Sequence, residues 1–161
     1  MLGRTRSEAT TTFTDAVSLW RLHHGNTAEV IDAAVECLLA ELDSPTLCEL
    51  AGESPARSRF DLAPMIEQTL QELGLANVLT VSPDAGAMAV MARRFERGEL
   101  SARDLCDWAH RSIGHDGDGS CQVFVELDDV FDTVEYYDDE DEESLERRTV
   151  EAVHAFLNAR R

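Results

Sequence analysis

Ile31, Ala34, Val35, Leu38, Leu39 and Leu42 recur at i, i+3, i+4 and i+7 spacing, behind an Asn26 that stands three residues ahead of Glu29. This pattern lays an apolar stripe along one helix and puts a capping-box pair at its head. A stripe of that kind needs a second apolar surface to cover it, so the segment commits the chain to helix packing. The same punctuation then repeats. Ser44-Pro45 reads as an N-cap with an N1 proline, opening a short helix through Leu47 and Leu50 to Gly52. Leu62, Met65, Ile66, Leu70 and Leu73 keep helical spacing up to Gly74. Ser82-Pro83-Asp84 opens a helix whose apolar face is Met88, Met91, Ala92 and Phe95, with Arg93, Arg94 and Arg97 loading the end that favours cations and Gly98 stopping it. Ser101 caps another, bearing Leu105, Trp108, Ala109 and Ile113 and stopped by Gly114.

The other segments carry weaker patterns. Residues 14–24 form a shorter helix with Val17 and Trp20 inward and Gly25 as its C′ residue, so that His23 and His24 meet the exposed carbonyls of the last turn. Residues 122–137 fit a strand only in part: Val123, Val125 and Leu127 alternate, but Asp129 breaks the register. A helix fits better, with Val123, Phe124, Leu127, Val130, Phe131 and Val134 on one face. The run 138–143 (DDEDEE) is a solvated turn or helix start, and the last helix begins near Ser144 with Leu145, Val153, Phe156 and Leu157 inward and His154 half-buried. Residues 53–59 are a loop, and 75–81, short and β-branched near its end, is a connector open to an extended conformation. The expected fold is all-α, a bundle of about seven helices in two packed halves, 13–81 and 82–161, behind a flexible tail at 1–12.

Charge divides the chain differently. The 32 acidic residues face 14 basic ones, all Arg, for a net charge of −18. Between Ser112 and Glu146 there are 14 acids and neither Lys nor Arg, so this window carries −14 and the rest of the chain only −4. Such a surface repels phosphate backbones and anionic headgroups, which argues against nucleic-acid or membrane partners. No apolar run reaches the length of a membrane span, and no apolar stretch follows the N-terminal arginines as a secretory signal requires, so a cytoplasmic location is expected. Cys37, Cys48, Cys106 and Cys121 lack any CxxC spacing and read as reduced thiols. Many Arg and no Lys suggests a GC-rich genome.

No catalytic signature is present: no P-loop, GxGxxG, HExxH or GxSxG. His110, His115, Asp116, Asp118 and Cys121 have metal-ligand chemistry, but residues five apart on a helix point to different faces, about 500° round. The run from Asp116 opens like an EF-hand loop and then fails, with Cys121 at position 6 and Leu127 at position 12. No metal and no cofactor is therefore expected, and 115–120 reads as a flexible turn. Glu126, Asp128, Asp129, Asp132 and Glu135 then line the outward face of a helix, continued by Asp138 and Asp139. Like charges at i, i+3 and i+4 cost a few tenths of a kcal/mol per pair. With no Arg in the segment to offset this, the acids serve either solubility or a basic protein partner.

From Arg93 onward the residues resemble the colicin-D-type immunity proteins of bacteria. The resemblance is carried by Arg94-Phe95-Glu96-Arg97-Gly98-Glu99-Leu100-Ser101-Ala102-Arg103-Asp104, by Trp108, by Leu127-Asp128-Asp129-Val130 and by a closing amphipathic helix. It implies a small acidic helical bundle that binds a basic nuclease toxin and blocks its active site. The expected function is thus non-enzymatic binding of a basic partner through the acidic face, an immunity or inhibitor role being its concrete form. The alternative is a structural or self-associating helical domain without a specific ligand on that face, with a metal-dependent enzyme using the 110–121 region as a third, weaker reading.

Overall fold

Thr5, Asn26, Ser44, Ser58, Ser101 and Asp141 each accept a backbone N–H with their side chains, and each marks the start of a helix. These caps satisfy donors that the first turn leaves without partners. A computed structural model describes residues 3–22, 26–136 and 138–161. Among them are eight α-helices: α1 (Arg6–Arg21), α2 (Thr27–Leu39), α3 (Pro45–Ala51), α4 (Arg59–Glu72), α5 (Pro83–Glu96), α6 (Ala102–Ser112), α7 (Gln122–Thr133) and α8 (Glu142–Asn158). Three 3-10 turns, Ala76–Thr80, Gly119–Cys121 and Val134–Tyr136, complete the regular structure, and no strand occurs among the described residues. The protein is an all-α bundle. It divides into two compact units, Met1–Pro83 and Asp84–Arg161.

In the first unit α1 packs on α2, α2 on α3 and α3 on α4. Phe13, Val17 and Trp20 of α1 meet Val30, Ala34 and Cys37 of α2, Leu47 and Leu50 of α3, and Leu62, Ile66 and Leu70 of α4. Fully burying a side chain of this size contributes about 1.5–3 kcal/mol. The guanidinium of Arg59 lies 4.0 Å over the Trp20 ring and donates to the Trp20 carbonyl. Helix α1 begins at Arg6, inside the segment expected to be a flexible tail. Thr5 and Glu8 form a full capping box, and the hydroxyls of Thr10, Thr11 and Thr12 donate to the carbonyls of Arg6, Ser7 and Glu8. The threonine run is therefore helical rather than mobile, and Ala9 is buried one turn ahead of Phe13.

The stripe on α2 is turned slightly from its expected face. Val30, Ile31, Ala33, Ala34 and Cys37 are buried, whereas Leu39 is 74% exposed. The connector 75–81 is a 3-10 turn, not an extended strand. Arg21 donates to the carbonyls of Val78 and Val81 at 2.6 and 3.0 Å, satisfying acceptors that an extended segment would have paired with another strand. His23, His24 and Gly25, expected at the end of α1, lie outside the described residues, as does Tyr137.

In the second unit α6, α7 and α8 pack pairwise. Ala102, Cys106, Leu127, Phe131 and Leu145 form one buried cluster, with Phe95, Val130, Val134 and Ala152 against it. Phe124 and Phe156 meet edge to face with centroids 5.6 Å apart. Cys37, Cys106 and Cys121 are buried free thiols, each with its pKa pushed up to about 11 by burial, and Cys48 is exposed. His154 is exposed rather than half-buried, 3.9 Å from Glu96. No helix among the described residues is long and apolar enough to cross a membrane.

Candidate functional site

Helix α7 buries Phe124, Val125, Leu127 and Phe131, so its inward face includes position 128 and excludes Val123. Asp128 therefore does not project outward with its neighbours. It is 5% exposed, one helical turn after Phe124 and one before Phe131. A buried carboxylate requires partners. Nδ1 of His110, in the last turn of α6, supplies one at 2.8 Å from Asp128 Oδ2. Burial pushes the Asp128 carboxyl above its ordinary value, and the hydrogen bond from His110 opposes that rise.

The other acids take up three kinds of position. Asp132 is paired with Arg103 at 2.9 Å, and Arg103 also donates to the Phe131 carbonyl at 3.1 Å. Glu140 is held by Arg148 at 2.7 Å. The cations missing from the segment itself are thus supplied to these two acids by α6 and α8. Asp129 is half-exposed and faces histidines: Oδ1 lies 3.4 Å from His110 Nδ1, and Oδ2 lies 3.3 Å from His115 Nε2. Glu126, Glu135, Asp138 and Asp139 are exposed, and among the described residues they form no ion pair.

His110 and His115 do come together, against the expectation from helix geometry. Helix α6 ends at Ser112, and Gly114 takes a left-handed φ of 71° while donating to the Ala109 carbonyl. Residue 115 is therefore off the helix, turned back toward its last turn. The two imidazoles meet edge to face with centroids 5.0 Å apart. One nitrogen of each and one Asp129 carboxylate oxygen lie within 4.8 Å of one another.

The turn that carries His115 is tied down, not flexible. Asp84, in the first turn of α5, accepts from the Asp118 backbone N–H at 2.7 Å. The Gln122 amide donates to the carbonyls of Gly114 and Gly117 at 3.0 and 3.3 Å. Asp118 in turn caps Ser120, accepting from its N–H at 2.9 Å. Gly117 is packed so closely that a Cβ there would lie 2.8 Å from Asp84 Oδ2 and 2.9 Å from the Ile113 carbonyl.

Of the residues expected to face a partner, Glu126, Glu135, Asp138 and Asp139 are exposed, while Asp128 is interior and Asp129 and Asp132 are engaged with side chains of this chain. The burial of Asp128 had a signal in the sequence, its place at i+4 from Phe124 and i−3 from Phe131, whereas nothing local pointed to His110 as its partner. The chain matches no protein-family model, curated protein or solved structure.

Proposed function

We propose that this protein is a non-enzymatic binder of a basic protein partner, engaged by the surface that runs from Glu126 to the start of α8. The observation that supports it is Tyr136, 77% exposed among Glu135, Asp138 and Asp139. Exposed tyrosines anchor interfaces, and unpaired carboxylates around one select a cationic partner. Glu142 and Glu143 extend the same surface into the first turn of α8. The immunity or inhibitor protein of a basic nuclease toxin is the concrete form of this reading, with carboxylates placed where the nuclease would hold phosphates.

The test is retention on immobilised basic proteins, nuclease domains among them, across a salt gradient. One partner held well beyond about 0.15 M salt, and lost with Tyr136→Ala or with Glu135→Arg plus Asp138→Arg, is the expected result. Equal, weak retention by every basic protein, gone by about 0.15 M salt, assigns the acids to solubility and overturns the proposal.

A further inference from the structure

Three parts of the second unit converge where the acidic segment is least acidic in behaviour. The last turn of α6 brings His110, the glycine-closed turn after it brings His115, and the middle of α7 brings Asp129. We infer that these three side chains form a binding site for a divalent transition-metal ion of the zinc class, distinct from the exposed acids assigned above to a protein partner.

The donor set has the right chemistry. Two imidazole nitrogens and one carboxylate oxygen are ligands that zinc takes in open sites, with water completing a tetrahedron. Bonds of about 2.0–2.1 Å place neighbouring ligands about 3.3–3.4 Å apart in such a tetrahedron. His115 Nε2 and Asp129 Oδ2 are 3.3 Å apart. All three ligand atoms lie within 4.8 Å of one another, so closing on an ion takes only small side-chain rotations.

The site is also built, in that its supports are ordered before any ion arrives. Asp128 is buried and holds Nδ1 of His110 at 2.8 Å, the nitrogen that also lies 3.4 Å from Asp129 Oδ1, so the ion takes Nε2 of His110 and Asp128 serves as the carboxylate partner of the ligating imidazole. The turn that carries His115 is held by the Gly114 reversal, the Asp84–Asp118 hydrogen bond and the Gln122 clamp. These cross-links reach from α5 and α7, so the turn is positioned by elements on either side of it in the chain. Entry is open, since the side chains of His115 and Asp129 are 56% and 47% exposed. The net charge of the surrounding segment favours a cation over any anionic ligand.

The experiment is equilibrium dialysis of the EDTA-stripped full chain against Zn²⁺ and Co²⁺ near neutral pH, with competition by Mg²⁺ and about 0.15 M salt to suppress binding to the acidic surface. The expected result is one tightly held ion per chain and a Co²⁺ visible spectrum of the intense four-coordinate type. His115→Ala and Asp129→Asn each weaken binding by about tenfold or more, whereas His154→Ala leaves it unchanged. Residues 115 and 129 are exposed enough that neither change opens the core, and circular dichroism checks that each variant is folded. Several weakly held ions displaced by salt or Mg²⁺, no stoichiometric ion at all, or stoichiometric binding undiminished in the His115→Ala, Asp129→Asn double variant overturns the site. None of these outcomes bears on Tyr136 and its neighbours.

Discussion

Glu41 sits at φ 62°, a left-handed conformation that the other helix ends with positive φ assign to Gly74, Gly98 and Gly114. It closes α2 with the hydrogen bond also made after Gly74 and Gly98, here Leu42 N–H to the Cys37 carbonyl, but carries a Cβ strain of about 1–2 kcal/mol. Its ion pair with Arg6 is long and exposed, and such pairs contribute little. Glu41→Gly therefore stabilises the protein by about 0.5–1 kcal/mol once the greater entropy of an unfolded glycine is subtracted, measurable by urea unfolding. Asp128 presents the opposite case, a group the fold has made interior at a charge cost. Its native pKa is raised by burial from the ordinary 3.8, so the native state holds the proton more tightly than the unfolded chain. The stability linked to it is fully present below 3.8 and is lost as pH rises through the native value. Asp128→Asn keeps an acceptor for His110 and removes that linkage. In metal-free buffer it should change stability by less than about 1 kcal/mol at neutral pH, and the wild type should gain on the variant as pH falls toward about 4. A stability difference that is flat in pH would show that Asp128 titrates alike in both states. The position was legible in principle, because Phe124, Asp128 and Phe131 share one stripe. Counting Val123, Val130 and Val134 on the same face as Phe124, Leu127 and Phe131 turns the centre of that face away from position 128 and puts the acid outside.

At the level of elements, legibility follows the caps. Ser44, Ser101 and the glycines at 74, 98 and 114 mark ends that depend only on residues within a turn or two, and the structure places helix ends there. Residues 6–12 of α1 read as a tail because their threonines look too polar to order, whereas the hydroxyls of Thr10, Thr11 and Thr12 are each satisfied by a carbonyl one turn back. The His115 turn is unreadable for a different reason. Its order comes from Asp84, 34 residues from Asp118, and no local pattern announces a bond across that distance. The turn's rigidity makes a sharp prediction at Gly117. A Cβ there would crowd the Ile113 carbonyl, the Ile113 side chain and Asp84, and backbone is among the atoms that must yield. Gly117→Ala should destabilise the protein by about 1–3 kcal/mol, the usual cost of overpacking. Hydrogen exchange should localise the loss, with the Asp118 amide losing protection first because Asp84 can no longer reach it. Unchanged stability and an unchanged Asp118 amide would mean that the turn relaxes freely.

Over the whole molecule the question is whether the excess of negative charge is held by internal partners or merely endured. Asp132 and Glu140 have arginine partners, and Asp129 has histidines, yet Glu126, Glu135, Asp138, Asp139, Glu142 and Glu143 form no ion pair among the described residues. Salt weakens the few exposed pairs and screens the many repulsions, so the two effects on stability have opposite signs. Exposed pairs contribute about 0–1 kcal/mol each even at low salt. The repulsions are individually smaller but more numerous, and they act over the Debye length, about 30 Å at 0.01 M and about 10 Å at 0.1 M. Repulsion should therefore win, and the melting temperature should rise by a few degrees between about 0.01 M and about 0.2 M NaCl. The variant Glu135→Gln, Asp138→Asn, Asp139→Asn tests the assignment to these residues, since it should melt higher at low salt and show a shallower salt slope. A wild-type melting temperature that falls with salt would place the net electrostatic stabilisation in the native ion pairs. A slope unaltered by the triple variant would move the repulsion away from the surface around Tyr136. The predicted combination leaves those acids as a destabilising feature in the free protein, relieved when a cationic surface covers them.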